Sequence, residues 1–133
     1  MSEHKIPVHG TFCWNELATK DLDAAKRFYT ELLGWQFQVS DAAGMAYHEI
    51  VAGGEHVGGL YQLGPEQGDA PSHWTAYVAV DDVDARAARV EALGGKVRVP
   101  PTDIPNVGRF CAIADPSGAT ISLITIRMPG AGS

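Results

Sequence analysis

The chain has 133 residues, 45% of them hydrophobic and 20% charged, with a formal net charge of −6 at pH 7. That length supplies the core of one domain rather than of two independent ones, and the composition is ordinary for a soluble globular protein. The acidic balance argues against a nucleic-acid or anionic-membrane partner, because both reward clustered Lys and Arg.

At the N-terminus, Met1-Ser2-Glu3-His4-Lys5 carries no apolar signal segment, and no later run is long enough to span a bilayer, so a cytoplasmic location is expected. Phe12–Leu17 reads as a strand. Leu22, Ala25, Phe28, Tyr29 and Leu32 then form one apolar stripe at helical spacing, which predicts a helix over Asp21–Leu33 with Asp21 or Asp23 as cap and Gly34 as stop. Three strands should follow, over Trp35–Val39, Met45–Val51 and His56–Leu63, with turns at Ser40–Gly44 and Ala52–Glu55. A polar connector without periodicity, Gly64–Ser72, leads to a second strand-like run at Thr75–Val80 and a second helix over Asp82–Leu93, stopped by Gly94-Gly95. Strands over Lys96–Val99, Arg109–Ala114 and Ala119–Ile126 complete the series. The last two are joined by Asp115-Pro116-Ser117-Gly118, where Pro presets φ and Gly supplies a positive one. The basic residues Lys96 and Arg98 alternate with valines and read as a solvated strand face. Pro129–Ser133 is expected to fray.

The same pattern thus occurs twice. Asp21-Leu22-Asp23-Ala24 recurs 61 residues later as Asp82-Val83-Asp84-Ala85, and Leu32 and Gly34 recur as Leu93 and Gly95. A repeat of that length defines the fold before any local assignment. It gives an α+β protein of two tandem β-α-β-β-β modules, one over about residues 9–63 and one over about 73–126, in a single domain spanning 1–133. Cys13 and Cys111 fall in apolar strand contexts, where reduced thiols are expected over a disulfide.

The module order, the stretch Phe28-Tyr29 with Leu33-Gly34 behind an Asp-Leu turn, and Asp115-Pro116-Ser117-Gly118 before the last strand resemble the vicinal oxygen chelate superfamily of glyoxalases, bleomycin-resistance proteins and extradiol dioxygenases. The resemblance runs from about His9 to Ile126 and implies curled mixed sheets around a cleft. It also implies a homodimer. In metal-dependent members, one His, Glu or Gln on the first and last strand of each module holds the metal. Carried onto this chain, those positions are Trp14, Gly59, Thr75 and Ser122. Indole offers no lone pair, glycine has no side chain, and neutral hydroxyls hold a divalent cation poorly by themselves. No metal and no other cofactor is therefore expected. A slip of one residue yields Cys13 or Asn15, Leu60, Trp74 or Ala76, and Leu123; a slip of two brings in Glu16 and His73, which would need Glu49 or His56 beside them.

Glu16 shares a strand face with Trp14, because side chains two apart point the same way. A carboxylate beside an indole in a desolvated pocket is a candidate acid or base, and a strand-end Glu bonded to backbone is the plainer alternative. Aromatic walls are expected from Trp14, Tyr61, Tyr77 and Phe110, with Tyr77 preferred over Trp74 because it shares the parity of Thr75. Arg109 is a candidate partner for a ligand carboxylate or phosphate, against a surface role. His48-Glu49 on a strand would send its two side chains to opposite faces. The expectation is a metal-free member that binds a small apolar or aromatic organic molecule. The alternatives are a lyase or dioxygenase, metal-dependent through displaced ligands or metal-free through Glu16, and a structural or regulatory subunit.

Overall fold

Among the described residues of this computed structural model (7–40, 47–65, 68–105 and 107–127), the chain runs β-α-β-β-β twice. β1 (Phe12–Thr19), α1 (Leu22–Leu33), β2 (Gln36–Ser40), β3 (Tyr47–Ala52) and β4 (Glu55–Gln62) form the first pass. β5 (His73–Ala79), α2 (Val83–Ala87), β6 (Lys96–Ile104), β7 (Gly108–Ala114) and β8 (Thr120–Ile126) form the second. The fold is α+β with mixed strand pairing, and the repeated module is its building unit.

Both helices start on the repeated aspartate. The Asp21 carboxylate accepts from the Ala24 amide at 3.0 Å, and the Asp82 carboxylate accepts from the Ala85 amide at 3.1 Å. Gly34 ends α1 in the left-handed conformation, φ 76°, and its amide donates to the Thr30 carbonyl at 2.9 Å.

The described residues divide into two compact units, Trp14–Thr75 and residues 76–127 together with 7–13. The strand interior thus joins the first unit, while its start joins the second: the amide of Gly10 donates to the Ala79 carbonyl at 2.7 Å, and the Ala79 amide donates to Thr11 at 2.8 Å. In the first unit the strands lie in the order β2-β3-β4-β1, with β1 parallel to β4 and the other pairs antiparallel. The second repeats this as β5-β8-β7-β6, with β5 parallel to β8.

The core of the first unit sits between its sheet and α1. Leu17, Ile50 and Leu60 are buried there, with Leu22, Ala25, Tyr29, Trp35 and Phe37 packed against them. Tyr29 and Trp35 stack at 5.0 Å between ring centroids, and Trp74 meets both edge-on at 5.8 and 6.2 Å. Trp74 is thereby a packing residue on the helix side. In the second unit Val83 and Val90 are buried, and the Val83 amide donates to Thr125 Oγ1 at 3.0 Å, which fixes α2 against β8.

Three expectations need correcting. The second helix does not run unbroken to Leu93: α2 ends at Ala87, and after a turn a separate 3-10 segment covers Glu91–Leu93. Bonds such as Arg89 to Arg86 and Val90 to Ala87 wind this stretch more tightly than an α-helix, and only Val83 and Val90 anchor it by burial. β6 continues through Pro100-Pro101 to Ile104, which Val99 does not end. It is the outer strand of its unit, its pairing with β7 shifts register twice, and prolines are tolerated on such bulged edges. β1 likewise reaches Thr19 rather than Leu17. The tail expected to fray, with the turn over residues 41–44 and the start of the Met45–Val51 strand, lies outside the described residues. Cys13 and Cys111 are free thiols.

His48 is 9% exposed, pairs with Val39 and Leu60 on the helix side of the sheet, and has a buried Nδ1 without a hydrogen-bond partner. Burial and then Lys26 hold its imidazole below the ordinary range, opposed by Asp23. The folded chain therefore resists protonation while the unfolded chain takes up a proton. Stability contributed at neutral pH falls away as pH drops below the unfolded value of about 6.5, by at most about 1.4 kcal/mol per pH unit. Wild type should lose more of its urea midpoint than His48→Leu does between about pH 7.5 and about pH 5.5. Equal losses in the two proteins would remove His48 as the cause.

Candidate functional site

Strand alternation sorts the first unit into two faces. Leu17, Ile50 and Leu60 point under α1, so Trp14, Glu16, Tyr47, Glu49, Gly59 and Tyr61 belong to the opposite face. Register confirms the grouping: Glu16 pairs with Gly59 across β1 and β4, and Glu49 pairs with Gly59 from the other side, across β3 and β4. The two-residue turn Gly53-Gly54, with φ values of 60° and 81°, closes the β3–β4 hairpin that carries Glu49 to that position.

Gly59 is the centre of the arrangement. A Cβ placed on it would lie 1.9 Å from Tyr47 Oη and 2.3 Å from the ring carbon bearing it, so the Tyr47 phenol occupies the space a side chain would fill. There its hydroxyl donates to Glu16 Oε2 at 2.8 Å and accepts from Trp14 Nε1–H at 2.9 Å. Indole, phenol and carboxylate form one continuous chain. Burial, and then the charge of Glu16, push the Tyr47 phenol far above its ordinary value of 10, while the Trp14 N–H pulls the other way. Tyr61 is raised for the same leading reason, burial, followed by Glu16. Both phenols therefore remain protonated donors at physiological pH. Beside them Glu49 Oε1 contacts His56 Nδ1 at 2.5 Å, at the more exposed edge of the face.

The residues singled out in the sequence are distributed over both units. Trp14, Glu16, Gly59 and Tyr61 are brought together in the first. Thr75 lies half-buried on β5. In the second unit Tyr77 pairs with Ser122, both buried, and the Tyr77 and Phe110 rings lie 6.3 Å apart, which makes one face of these three residues. Arg109 is on the other face. Its guanidinium makes a bidentate pair with Asp84 of α2, at 2.9 and 3.0 Å, and a third bond to Asp103 at 3.1 Å. Those carboxylates hold Arg109 above its ordinary value, and the guanidinium holds Asp84 below its own. Arg109 is thus not placed with Tyr77, Phe110 and Ser122, because strand parity turns it toward α2, where two aspartates take it up.

Sequence reasoning missed Tyr47. Its signal was the glycine: a mid-strand Gly marks a place where another group approaches closely, and Tyr47 shares the parity of Glu49, the register partner of Gly59. His73, considered as a displaced ligand, contacts the Pro71 carbonyl through Nδ1 at 2.8 Å. Trp14, Gly59, Thr75 and Ser122, the positions that the resemblance implies for metal ligands, offer poor donors for a divalent cation. The one polar atom of Trp14 is an N–H donor already given to Tyr47, Gly59 has no side chain, and Thr75 and Ser122 offer neutral hydroxyls. Among the described residues no three His, Cys, Asp or Glu side chains gather as a metal-ligating group.

The module order defines a two-module α+β protein. The chain belongs to the glyoxalase/bleomycin resistance protein/dioxygenase superfamily, whose model matches residues 11–123. It is 44% identical over 116 residues to CFP32 of Mycobacterium bovis and Mycobacterium tuberculosis, which carries the name of a glyoxylase provisionally; the match covers 86% of this chain and 44% of that one. It is 35% identical over 127 residues to the anthracycline biosynthesis protein DnrV of Streptomyces peucetius, covering 86% of this chain and 46% of the relative. The chain thus spans less than half the length of these relatives. In fold it is similar to methylmalonyl-CoA epimerase from Mycobacterium tuberculosis, with TM-score 0.63, 18% identity and 98% of each chain covered. It is also similar to the Mn(II)-bound glyoxalase from Novosphingobium aromaticivorans, with TM-score 0.59 and 26% identity over 88% of this chain and 39% of that one.

Removing the phenol oxygen alone should expose what it satisfies. Tyr47→Phe leaves the Trp14 N–H and Glu16 without their shared partner, at a cost of roughly 1–3 kcal/mol in the free energy of unfolding. Urea titration measures this directly, and an unchanged midpoint would show that water replaces the hydroxyl without penalty.

Proposed function

We propose that this chain binds a small, largely apolar or aromatic organic molecule against the face of Trp14, Glu16, Tyr47 and Tyr61, without a metal ion. The observation that carries the reading is the Trp14–Tyr47–Glu16 chain laid over Gly59. Its polar ends are tied to one another, so the face offers a ligand mainly ring surface, with Glu16 to orient it. The donor chemistry at the family's ligand positions supports the metal-free part. A planar ligand accords with the relative whose name ties it to anthracyclines, a class of fused-ring compounds. A cytoplasmic site of action belongs to the same reading. No helix among the described residues is long and apolar enough to cross a membrane.

The second reading is acid–base catalysis on Glu16, favoured by the phenol that donates to it at 2.8 Å and orients its carboxylate. One experiment separates the two. Quenching of tryptophan fluorescence by a hydroxyanthraquinone should give saturable binding, weakened about tenfold or more by Trp14→Ala, equivalent to about 1.4 kcal/mol. Glu16→Gln should leave that affinity within about threefold. Consumption of the compound by wild type but not by Glu16→Gln would establish the catalytic reading instead. Absence of quenching, or indifference to Trp14→Ala, would overturn the aromatic site. Thermal stabilisation by divalent cations, with stoichiometric metal in the purified protein, would overturn its metal-free character.

A further inference from the structure

The β3–β4 hairpin carries a pair of side chains that neither reading of the site uses. Up to Ile50 and Gly58 the two strands stay in step, but Val51 then pairs with His56, which leaves Val57 without an opposite residue. A bulge of this kind turns the strand beyond it over by one position. In unbroken alternation His56 would share the parity of Gly58 and Leu60 and lie under α1. Opposite Val51 it takes the parity of Glu49 instead, and emerges on the face of Trp14, Glu16, Tyr47 and Tyr61.

There His56 Nδ1 meets Glu49 Oε1 at 2.5 Å. An ionised carboxylate only accepts, so in the neutral ring the proton sits on Nδ1 and the lone pair on Nε2. Among the described residues Nε2 has no partner, and the His56 side chain is 44% exposed. A half-exposed pair adds little to stability, so stability is a poor account of the bulge that creates it. What the bulge does deliver is an imidazole fixed at one nitrogen and open at the other. Glu49 and Glu16 flank Gly59 on the two neighbouring strands, about 10 Å apart along the sheet. A flat molecule laid on the Tyr47 phenol thus has Glu16 on one side and the Glu49–His56 pair on the other.

We propose that His56 determines specificity by accepting, through Nε2, the hydrogen of a phenolic hydroxyl at the ring edge of the ligand. Glu49 is the positioning residue that fixes the tautomer. The ligand class narrows accordingly from aromatic compounds to hydroxylated ones. This rests on the aromatic site proposed above but is separable from it, because stacking on Trp14 needs no hydroxyl.

Two probes test it, anthraquinone and a hydroxyanthraquinone whose hydroxyl is remote from the carbonyls, each titrated by tryptophan quenching. Wild type should bind the hydroxylated probe about tenfold more tightly. That probe should also shift the His56 Nε2 resonance in nitrogen NMR, and anthraquinone should not. His56→Leu should bind both probes alike, whereas His56→Gln, which keeps an acceptor oxygen, should retain part of the preference. Glu49→Gln should reduce the preference to about threefold or less and spread the His56 proton over both ring nitrogens. Wild type that binds both probes alike, or a preference that survives His56→Leu, would overturn the acceptor and leave the aromatic site standing. A Glu49→Gln protein with the tautomer and preference of wild type would overturn the positioning role. Quenching by neither probe would overturn the aromatic site and the acceptor together.

Discussion

Everything in this fold follows from committing one face of each sheet to a helix. In the first unit α1 takes Leu17, Ile50 and Leu60, and the period of two then leaves Trp14, Glu16, Glu49, Gly59 and Tyr61 no place but the other side. In the second unit Arg109 follows the same rule and goes to α2, away from its neighbour Phe110. A one-residue slip in register would exchange the two sets, sending Glu16 and Glu49 under the helix. Hydrophobic burial thus selects the chemistry of the site, although none of the site residues supplies much of that burial.

Within that constraint, Gly59 decides what the face can be. Any larger residue would collide with the Tyr47 phenol, and without the phenol neither Trp14 nor Glu16 would have the partner it has now. Three polar atoms, the hydroxyl and its two neighbours, are joined in this chain, and the gain is rigidity rather than a large net stabilisation. Hydrogen bonds of this kind contribute on the order of 1 kcal/mol each, whereas leaving one end unpaired costs more.

The sequence carried the fold in forms that survive without an alignment. The repeated Asp-x-Asp-Ala is legible because a helix start needs an acceptor for its unpaired amides, and both copies use the first aspartate for it. Strand parity was legible too, since it set Trp74 apart from Thr75, and Trp74 packs with Tyr29 and Trp35. What parity cannot report is which face of a given strand the helix will cover, and so Arg109 remained open until Asp84 and Asp103 were seen to hold it. Nor does it report contacts between strands distant in sequence. Tyr47 reaches Glu16 across 31 positions and Trp14 across 33, through a glycine on a strand between them. The broken second helix and the long β6 escaped because both depend on tertiary packing overriding local signals, the tight turn before Gly94 and the prolines on an edge.

The metal question turns on the same residues. A ligand set needs lone pairs directed at one point, which makes a strand position valuable only when it carries imidazole, carboxylate or amide oxygen. At Trp14 the side chain has a donor where a metal needs an acceptor, and that donor is satisfied by a phenol that can exist only because Gly59 provides no ligand of its own. The residues at positions 14 and 59 are therefore linked, because the phenol that bonds Trp14 fills the space that Gly59 leaves open. A side chain at position 59 would displace Tyr47 and leave the Trp14 N–H without that partner.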